Sequence, residues 1–295
     1  MRKLYALCLF AALAAAGGCR KEPASDPNIA DRFDPLFAQE LQKRGYVADA
    51  TRITVGEVEN ISKLDLYGGS NSGELVSLQG IEYFASLVEL DCSFNRLTSL
   101  DVSRNPALKT LSCGYNRLSV LDVSHNLALS ELACSGNELT SLDLSRNASL
   151  GALFCEHNRL VSLDISANTA LTELSCNANM LTSLDVSRNT ALTVLYCFSN
   201  RLAALDVSHN PVLTELYCSD NLLTSLDISQ NRELFYFDCT TNPGDGSVFP
   251  VTAWFDNGSV PEGKIPSGPG YYDFTTGSWP YYDRGSVTVD YRQAE

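Results

Sequence analysis

Apolar and polar positions repeat every 21 residues between residues 87 and 242. Each period contains two similar halves, L-x-x-L-x-C-x-x-N-x and L-x-x-L-D-V-S-x-N-x-x. In both halves apolar residues occupy alternate positions, as at Leu90 and Cys92, and this alternation predicts a short strand with one buried face. A fixed period of this size predicts a solenoid of stacked coils.

An asparagine follows each predicted strand, from Asn95 to Asn242 in the first half and from Asn105 to Asn231 in the second. An asparagine at a fixed turn can hydrogen-bond the backbone of that turn and can tolerate an unusual dihedral angle. Stacked coils would repeat this bond as a ladder. Because one coil cannot bury its own apolar face, the coils must stack and share strand hydrogen bonds.

The repeated phrase resembles the leucine-rich repeats, specifically the bacterial class with nested ten- and eleven-residue units. The resemblance covers residues 87–242, and every period carries the full set of positions. It implies a curved repeat solenoid with short parallel strands, and usually a role in binding a partner. It does not imply a particular partner.

Solenoids need caps, because their terminal coils expose the core. We expect residues 31–86 to form a small helical N-terminal cap and a degenerate first coil, with Asp34 capping a helix. After residue 242 Pro, Gly and aromatic residues dominate, and residues 248–255 and 286–291 have strand patterns. We therefore expect residues 243–295 to form a β-rich C-terminal cap.

The N-terminus has the pattern of a secretory signal. Two basic residues precede an apolar stretch over residues 4–16, which is too short to span a membrane as a helix, and Gly-Gly-Cys19 follows. This end resembles a bacterial lipobox, which implies removal of residues 1–18, acylation of Cys19 and a tether over residues 19–30. The expected location is then the bacterial cell envelope, at the outer membrane or cell surface, held by the lipid. An ordinary soluble secretion signal is the alternative.

Cysteine occupies the same inward strand position in all eight periods, from Cys92 to Cys239. We expect a core column of free thiols that act as small hydrophobic side chains. Strained disulfides between neighbouring coils and a metal ladder are the alternatives. No C-x-x-C spacing supports the metal ladder.

Charge and motifs exclude several classes of function. A net charge of −14 argues against binding nucleic acid through its phosphates. No serine-elbow, zinc-helix or phosphate-loop phrase occurs, so we predict no enzyme, no cofactor and no metal site. A column of aspartates from Asp101 to Asp227 precedes serines by two residues. We expect these carboxylates to accept turn hydrogen bonds, with a cation ladder as the alternative.

The outward positions of the first strand are small or polar in the early coils and turn aromatic in the late ones. The candidate binding residues are these aromatics and two flanking carboxylates: Phe154, Tyr196, Phe198, Tyr217, Tyr236, Glu173 and Glu215. Exposed aromatics concentrated at one end of a sheet are typical of a binding patch. Coverage by the C-terminal segment and a drift in β-propensity are the alternatives.

These patterns together lead to a functional hypothesis. We expect a non-enzymatic lipoprotein that binds a protein partner through the outer face of its repeat sheet, in an adhesion, scaffold or adaptor role. A carbohydrate-binding accessory protein, which would stack glycan rings on the aromatics, is the main alternative. A passive spacer is the third.

Overall fold

A computed structural model of the protein describes residues 26–69, 73–244, 248–253 and 288–294. Twelve short strands lie within these ranges: β1 Lys63–Asp65, β2 Glu89–Asp91, β3 Thr110–Ser112, β4 Glu131–Ala133, β5 Ala152–Phe154, β6 Glu173–Ser175, β7 Val194–Tyr196, β8 Glu215–Tyr217, β9 Leu226–Asp227, β10 Tyr236–Asp238, β11 Val248–Ala253 and β12 Thr288–Gln293. They form a nine-stranded sheet in the order β1-β2-β3-β4-β5-β6-β7-β8-β10, and a three-stranded sheet in the order β12-β11-β9.

Neighbouring strands of the nine-stranded sheet are parallel, and each residue lies opposite the equivalent residue of the next coil. Leu90 lies opposite Leu111, and Leu111 lies opposite Leu132. The middle residue of each strand is buried, and the residues on either side of it point away from the core. The predicted solenoid of short parallel strands is therefore confirmed for the first half of each coil. The prediction of a strand in the second half is wrong for most coils, because the described second halves have only the isolated bridge between Asp101 and Asp122 and the short strand β9.

The cysteine column lies in the core. All eight cysteines from Cys92 to Cys239 are free and buried, and none of them is more than 2% exposed. Burial raises the pKa of every one of these thiols well above its ordinary value. The thiols therefore stay protonated and unreactive at neutral pH. The predicted column of free, apolar thiols is confirmed.

The first asparagine ladder joins each coil to the one before it. The Nδ2 of Asn116 donates to the carbonyl of Cys113 in its own coil and to that of Cys92 in the previous coil, both at 3.0 Å. Its Oδ1 accepts from the backbone nitrogen of Leu97 at 2.9 Å. In the second ladder both bonds of the amide nitrogen reach the previous coil, since Asn126 Nδ2 donates to the carbonyls of Val102 and Asn105. The predicted ladder is therefore confirmed.

The unusual dihedral angle belongs to the residue before each asparagine of the first ladder. These residues have left-handed φ angles between 51° and 58°: Phe94, Tyr115, His157, Ala178, Ser199, Asp220 and Thr241. The glycine of the column, Gly136, has a φ of 62°. Left-handed backbone is unfavourable for residues with a Cβ atom, so the bonds of the following asparagine hold this turn in place.

A small helical cap covers the first coil. Helix α1 (Pro35–Lys43) begins after Asp34, whose carboxylate accepts from the backbone nitrogens of Leu36 and Phe37 at 2.9 and 3.1 Å. Helix α2 (Val55–Val58) follows, and 3-10 turns span Ala30–Arg32 and Ile81–Tyr83. The fully buried side chains of this region are Phe37, Leu41, Ile53, Val58 and Phe84. They cover the end of the core that the first coil would otherwise expose.

The C-terminal strands extend the second half of the coils. Strand β11 pairs in parallel with β9, with Val251 opposite Leu226, and β12 pairs with β11. Phe249, Val251 and Ala253 are buried. The described part of this β-rich cap therefore continues the stack beside β9, in a separate three-stranded sheet.

Some of the predicted segments lie outside the described ranges. These are the signal segment 1–18, Cys19 with most of the tether, and residues 254–287 of the C-terminal cap. In the part of the chain that is described, no helix has both the length and the apolar character needed to cross a membrane.

Candidate functional site

Strands β2 to β8 and β10 turn two rows of side chains away from the core, and we call this surface the outer face. The first residues of the strands form one row, which we call the glutamate row: Glu89, Thr110, Glu131, Ala152, Glu173, Val194, Glu215 and Tyr236. The third residues form the other, which we call the tyrosine row: Asp91, Ser112, Ala133, Phe154, Ser175, Tyr196, Tyr217 and Asp238. Parallel pairing brings neighbours in a row about 4.8 Å apart.

Four residues of these rows come together at the C-terminal end of the sheet, and we call them the late-coil cluster: Tyr196, Glu215, Tyr217 and Tyr236. The rings of Tyr196 and Tyr217 meet edge to face, with centroids 5.0 Å apart and an interplanar angle of 86°. The hydroxyl of Tyr196 donates a hydrogen bond to the carboxylate of Glu215. Tyr236 lies opposite Glu215 in the register, and 41% of its surface is exposed. Its ring packs at 4.6 Å against Phe235, which is also exposed.

The environment raises the pKa of both half-buried tyrosines further above neutral pH. Burial, followed by the hydrogen bond to Glu215, raises the pKa of Tyr196. Burial and the nearby charge of Glu215 raise the pKa of Tyr217 to about 12. Both side chains are phenols at neutral pH, and Tyr196 donates its one hydroxyl proton to Glu215. The cluster offers aromatic surface, tyrosine hydroxyls and a carboxylate within one small area.

Three of the predicted site residues do not join this cluster. Phe154 lies in the tyrosine row, but Ser175 separates it from Tyr196. Phe198 follows the end of β7 and is only 9% exposed, so the expectation that its ring is exposed is wrong, although the ring does not belong to the hydrophobic core. Glu173 is exposed and stands two strands before Glu215 in the glutamate row.

The described C-terminal strands do not overlie the late-coil cluster. Strand β11 pairs with β9 in the three-stranded sheet, whereas the late-coil cluster belongs to the nine-stranded sheet. The exposure of Phe235 and Tyr236 agrees with this placement. The structure therefore does not support the alternative in which this part of the cap covers the aromatics.

A second group of aromatics, which we call the early aromatic stack, was not expected from the sequence. Phe94 and Tyr115 stack with centroids 4.3 Å apart, and Tyr67 meets Phe94 edge to face at 5.3 Å. Tyr115 has room because the next residue of its column is Gly136, where an added Cβ would lie 2.7 Å from the ring. Phe94 and Tyr115 both precede a ladder asparagine, so a comparison of turn columns across the coils would have found them.

The aspartate column has a structural role. Oδ1 of Asp101 accepts from the backbone nitrogen of Ser103 at 2.9 Å, and the same bond recurs in every coil to Asp227. The hydroxyl and the backbone N–H of Ser103 hold the pKa of the Asp101 carboxyl below its usual range. The predicted turn hydrogen bonds are confirmed. Within the described ranges, no three His, Cys, Asp or Glu side chains are grouped in a way that could hold a metal ion.

The architecture is that of a leucine-rich repeat protein. The functional domain of InlJ from Listeria monocytogenes, described as including a cysteine ladder, matches with a TM-score of 0.62 and 33% identity, over 77% of this chain and 56% of that chain. Internalin C2 from the same organism matches with a TM-score of 0.65 and 20% identity, over 72% of this chain and 97% of that chain. This chain therefore spans little more than half of the InlJ domain.

A more distant likeness extends the fold to plants. The leucine-rich repeat ectodomain of the receptor kinase GASSHO1/SCHENGEN3 from Arabidopsis thaliana matches with a TM-score of 0.53 and 23% identity, over 63% of this chain and 24% of that chain. No protein-family profile and no curated protein sequence matches the chain.

Proposed function

We propose that the protein is a non-enzymatic binding protein whose outer face contacts a protein partner and whose late-coil cluster anchors that contact. The observation that carries the proposal is the Tyr196–Glu215–Tyr217 arrangement on a face that no described segment covers. Tyrosines dominate protein interfaces because they add large contact area, cost little side-chain entropy and keep a polar group for hydrogen bonding.

The outer face suits this task because the coils on both sides hold it rigid. Each strand is paired on both edges, apart from those at the ends of the sheet. Pre-organised side chains lose little freedom on binding, which favours affinity. The plant ectodomain of the same fold was solved in complex with CASPARIAN STRIP INTEGRITY FACTOR 2, so a solenoid of this type can serve as a receptor.

The ring geometry favours a protein over a glycan. A sugar stacks on an exposed, flat aromatic platform. The rings of Tyr196 and Tyr217 stand at 86° to each other, and those of Phe235 and Tyr236 at 88°. Edge-to-face pairs offer no coplanar platform, whereas they present notches that side chains of a protein can fill.

We expect that replacing both Tyr196 and Tyr217 with alanine will weaken binding at least tenfold. Truncating two central aromatic anchors removes about 2 kcal/mol or more each. The melting temperature should change little, because neither ring belongs to the buried core. The measurement is fluorescence anisotropy with peptides that the full wild-type chain selects from a random display library, and a glycan array run in parallel covers the sugar alternative.

The matched control removes two aromatics from the early aromatic stack, by Tyr67→Ala with Tyr115→Ala. Alanine is compatible with the left-handed turn at position 115, since Ala178 occupies the same column. If the control abolishes binding and the Tyr196/Tyr217 variant retains it, the site lies at the other end of the solenoid and the proposal is wrong.

The proposed place of action is the bacterial cell envelope, where an acyl chain on Cys19 would anchor the protein. The support is the apolar stretch followed by Gly-Gly-Cys19 and by a polar segment that contains two prolines. Cys19→Ala should move the protein from the membrane fraction to the soluble fraction of cells that express it. Equal partitioning of the variant and the wild type into detergent would contradict the anchor, without bearing on the binding face.

A further inference from the structure

Carboxylates occupy alternate positions of the glutamate row. Glu89, Glu131, Glu173 and Glu215 belong to every second strand, and a residue without a negative charge lies between each pair. Because neighbouring parallel strands are about 4.8 Å apart, successive carboxylates lie about 10 Å from each other. The four side chains thus form a regular line of negative charge across the outer face.

Within the repeats, basic residues are absent from the two rows themselves, and the exposed Lys109 directly precedes Thr110 of the glutamate row. The glutamate row and the tyrosine row contain no Lys or Arg between β2 and β10. The arginines of the repeats instead follow the asparagines or precede them, in the turns: Arg96, Arg104, Arg117, Arg146, Arg159, Arg188, Arg201 and Arg232. At the N-terminal end of the row, Lys63 of β1 pairs with Glu89 at 2.6 Å.

The central carboxylates have no counter-ion in the described part of the chain. Glu131 and Glu173 are exposed, and the ion pairs of the repeats involve other glutamates. A spacing of about 10 Å equals the Debye length at 0.1 M salt, so the charges repel each other only weakly. The alternation therefore keeps the electrostatic repulsion within the row small. The row does not contribute to the stability of the fold through ion pairs at Glu131 and Glu173.

We propose that the glutamate row is a docking track for a cationic segment of the protein partner, with Lys or Arg side chains about 10 Å apart along one side. This inference rests on the proposed function and adds the chemistry of the partner. Charge complementarity supports it, because a regular row of carboxylates, in which Glu131 and Glu173 have no counter-ion among the described residues, fits a regular row of cations. The late-coil cluster lies at the end of the same row, where the aromatic rings can receive a further cation.

The spacing selects among regular peptide conformations. An α-helix with basic residues at i, i+7 and i+14 repeats them every ~10.5 Å on one face. In an extended strand, side chains on one face lie about 7 Å or about 13 Å apart, so they fall out of step with the row. The spacing therefore favours a helical segment that carries basic residues two turns apart.

The test uses the full chain and two synthetic helical peptides of identical composition. One carries Lys at i, i+7 and i+14, and the other carries the same lysines at i, i+4 and i+8. Anisotropy titrations at low and at physiological salt should show at least fivefold tighter binding of the first peptide, with a preference that shrinks as salt rises. Equal affinities, or no binding of either peptide, would overturn the proposal.

The variants separate the charge row from the aromatic anchor. Glu131→Gln with Glu173→Gln should weaken binding of the first peptide at least tenfold. The control, Glu59→Gln with Glu233→Gln, removes the same charge from exposed positions off the outer face and should change binding less than twofold. If library-selected peptides depend on Tyr196 and Tyr217 but not on Glu131 and Glu173, this inference fails while the proposed function stands. If they do not depend on the two tyrosines, the proposed function itself fails.

Discussion

Replacing Asn179 with alanine should destabilise the protein by about 3 kcal/mol, which is a large effect for one polar side chain. Its Nδ2 donates to the carbonyls of Cys155, Cys176 and Asn177 at 3.1, 3.1 and 3.2 Å. Its Oδ1 accepts from the backbone nitrogen of Leu160 at 2.9 Å. The substitution removes all four bonds and leaves the buried N–H of Leu160 without its partner.

The same coil supplies a matched control. Asn177 is also buried, but its side chain only accepts one hydrogen bond, which the hydroxyl of Ser175 donates at 2.8 Å. A hydroxyl can rotate to another acceptor, so Asn177→Ala should cost about 1 kcal/mol. The measurement is urea unfolding of both variants and the wild type. Equal losses for the two asparagines would show that the ladder does not hold the coils together.

Deleting one whole coil should leave a folded protein. Removal of residues 108–128 takes out one 21-residue period and joins Ala107 to Leu129, which occupies the same column as Leu108. The new neighbours, β2 and β4, present the same buried Leu, Cys and Asn positions to each other. Because the stability of a solenoid is a sum over coils and their interfaces, the variant should keep a cooperative transition with a modestly lower melting temperature.

A shorter deletion should do more damage. Removal of residues 108–117 takes out only the first half of the coil, so every later strand falls half a turn out of register. The leucine and cysteine columns would then face the wrong neighbours, and loss of cooperative unfolding is expected. Circular dichroism and thermal melts compare the two variants. A ten-residue deletion that is tolerated better than the 21-residue one would contradict the coil boundaries.

The 21-residue pattern predicted the stack because it specifies every buried position. Each coil repeats its apolar residues at Leu90 and its equivalents, and parallel pairing in register is the arrangement that buries them all. The pattern does not specify backbone angles. For that reason it could not show that the left-handed residue is the one before the asparagine, at Ala178 and its equivalents.

Strand alternation predicted those residues of the aromatic site that lie within the strands. Alternation assigns Tyr196, Tyr217 and Tyr236 to the outer face. It ends where β7 ends, and Phe198 lies beyond that point, where the chain turns and the side chain is buried. The early aromatic stack lies in turns, where strand alternation makes no prediction either. Where the C-terminal strands attach could not be predicted, because both β9 and β10 at the end of the repeats could accept a further strand.

The most direct test of the binding face uses whole-coil deletions as paired variants. Deleting residues 192–212 removes β7 with Tyr196, whereas deleting residues 108–128 removes β3 and leaves the late-coil cluster intact. Both variants lose one equivalent coil, so their melting temperatures should be similar. Peptides selected by the wild-type chain should bind the second variant within a few-fold of wild type and the first at least tenfold more weakly. Equal binding by two folded variants, or loss of binding only in the variant without β3, would contradict the account.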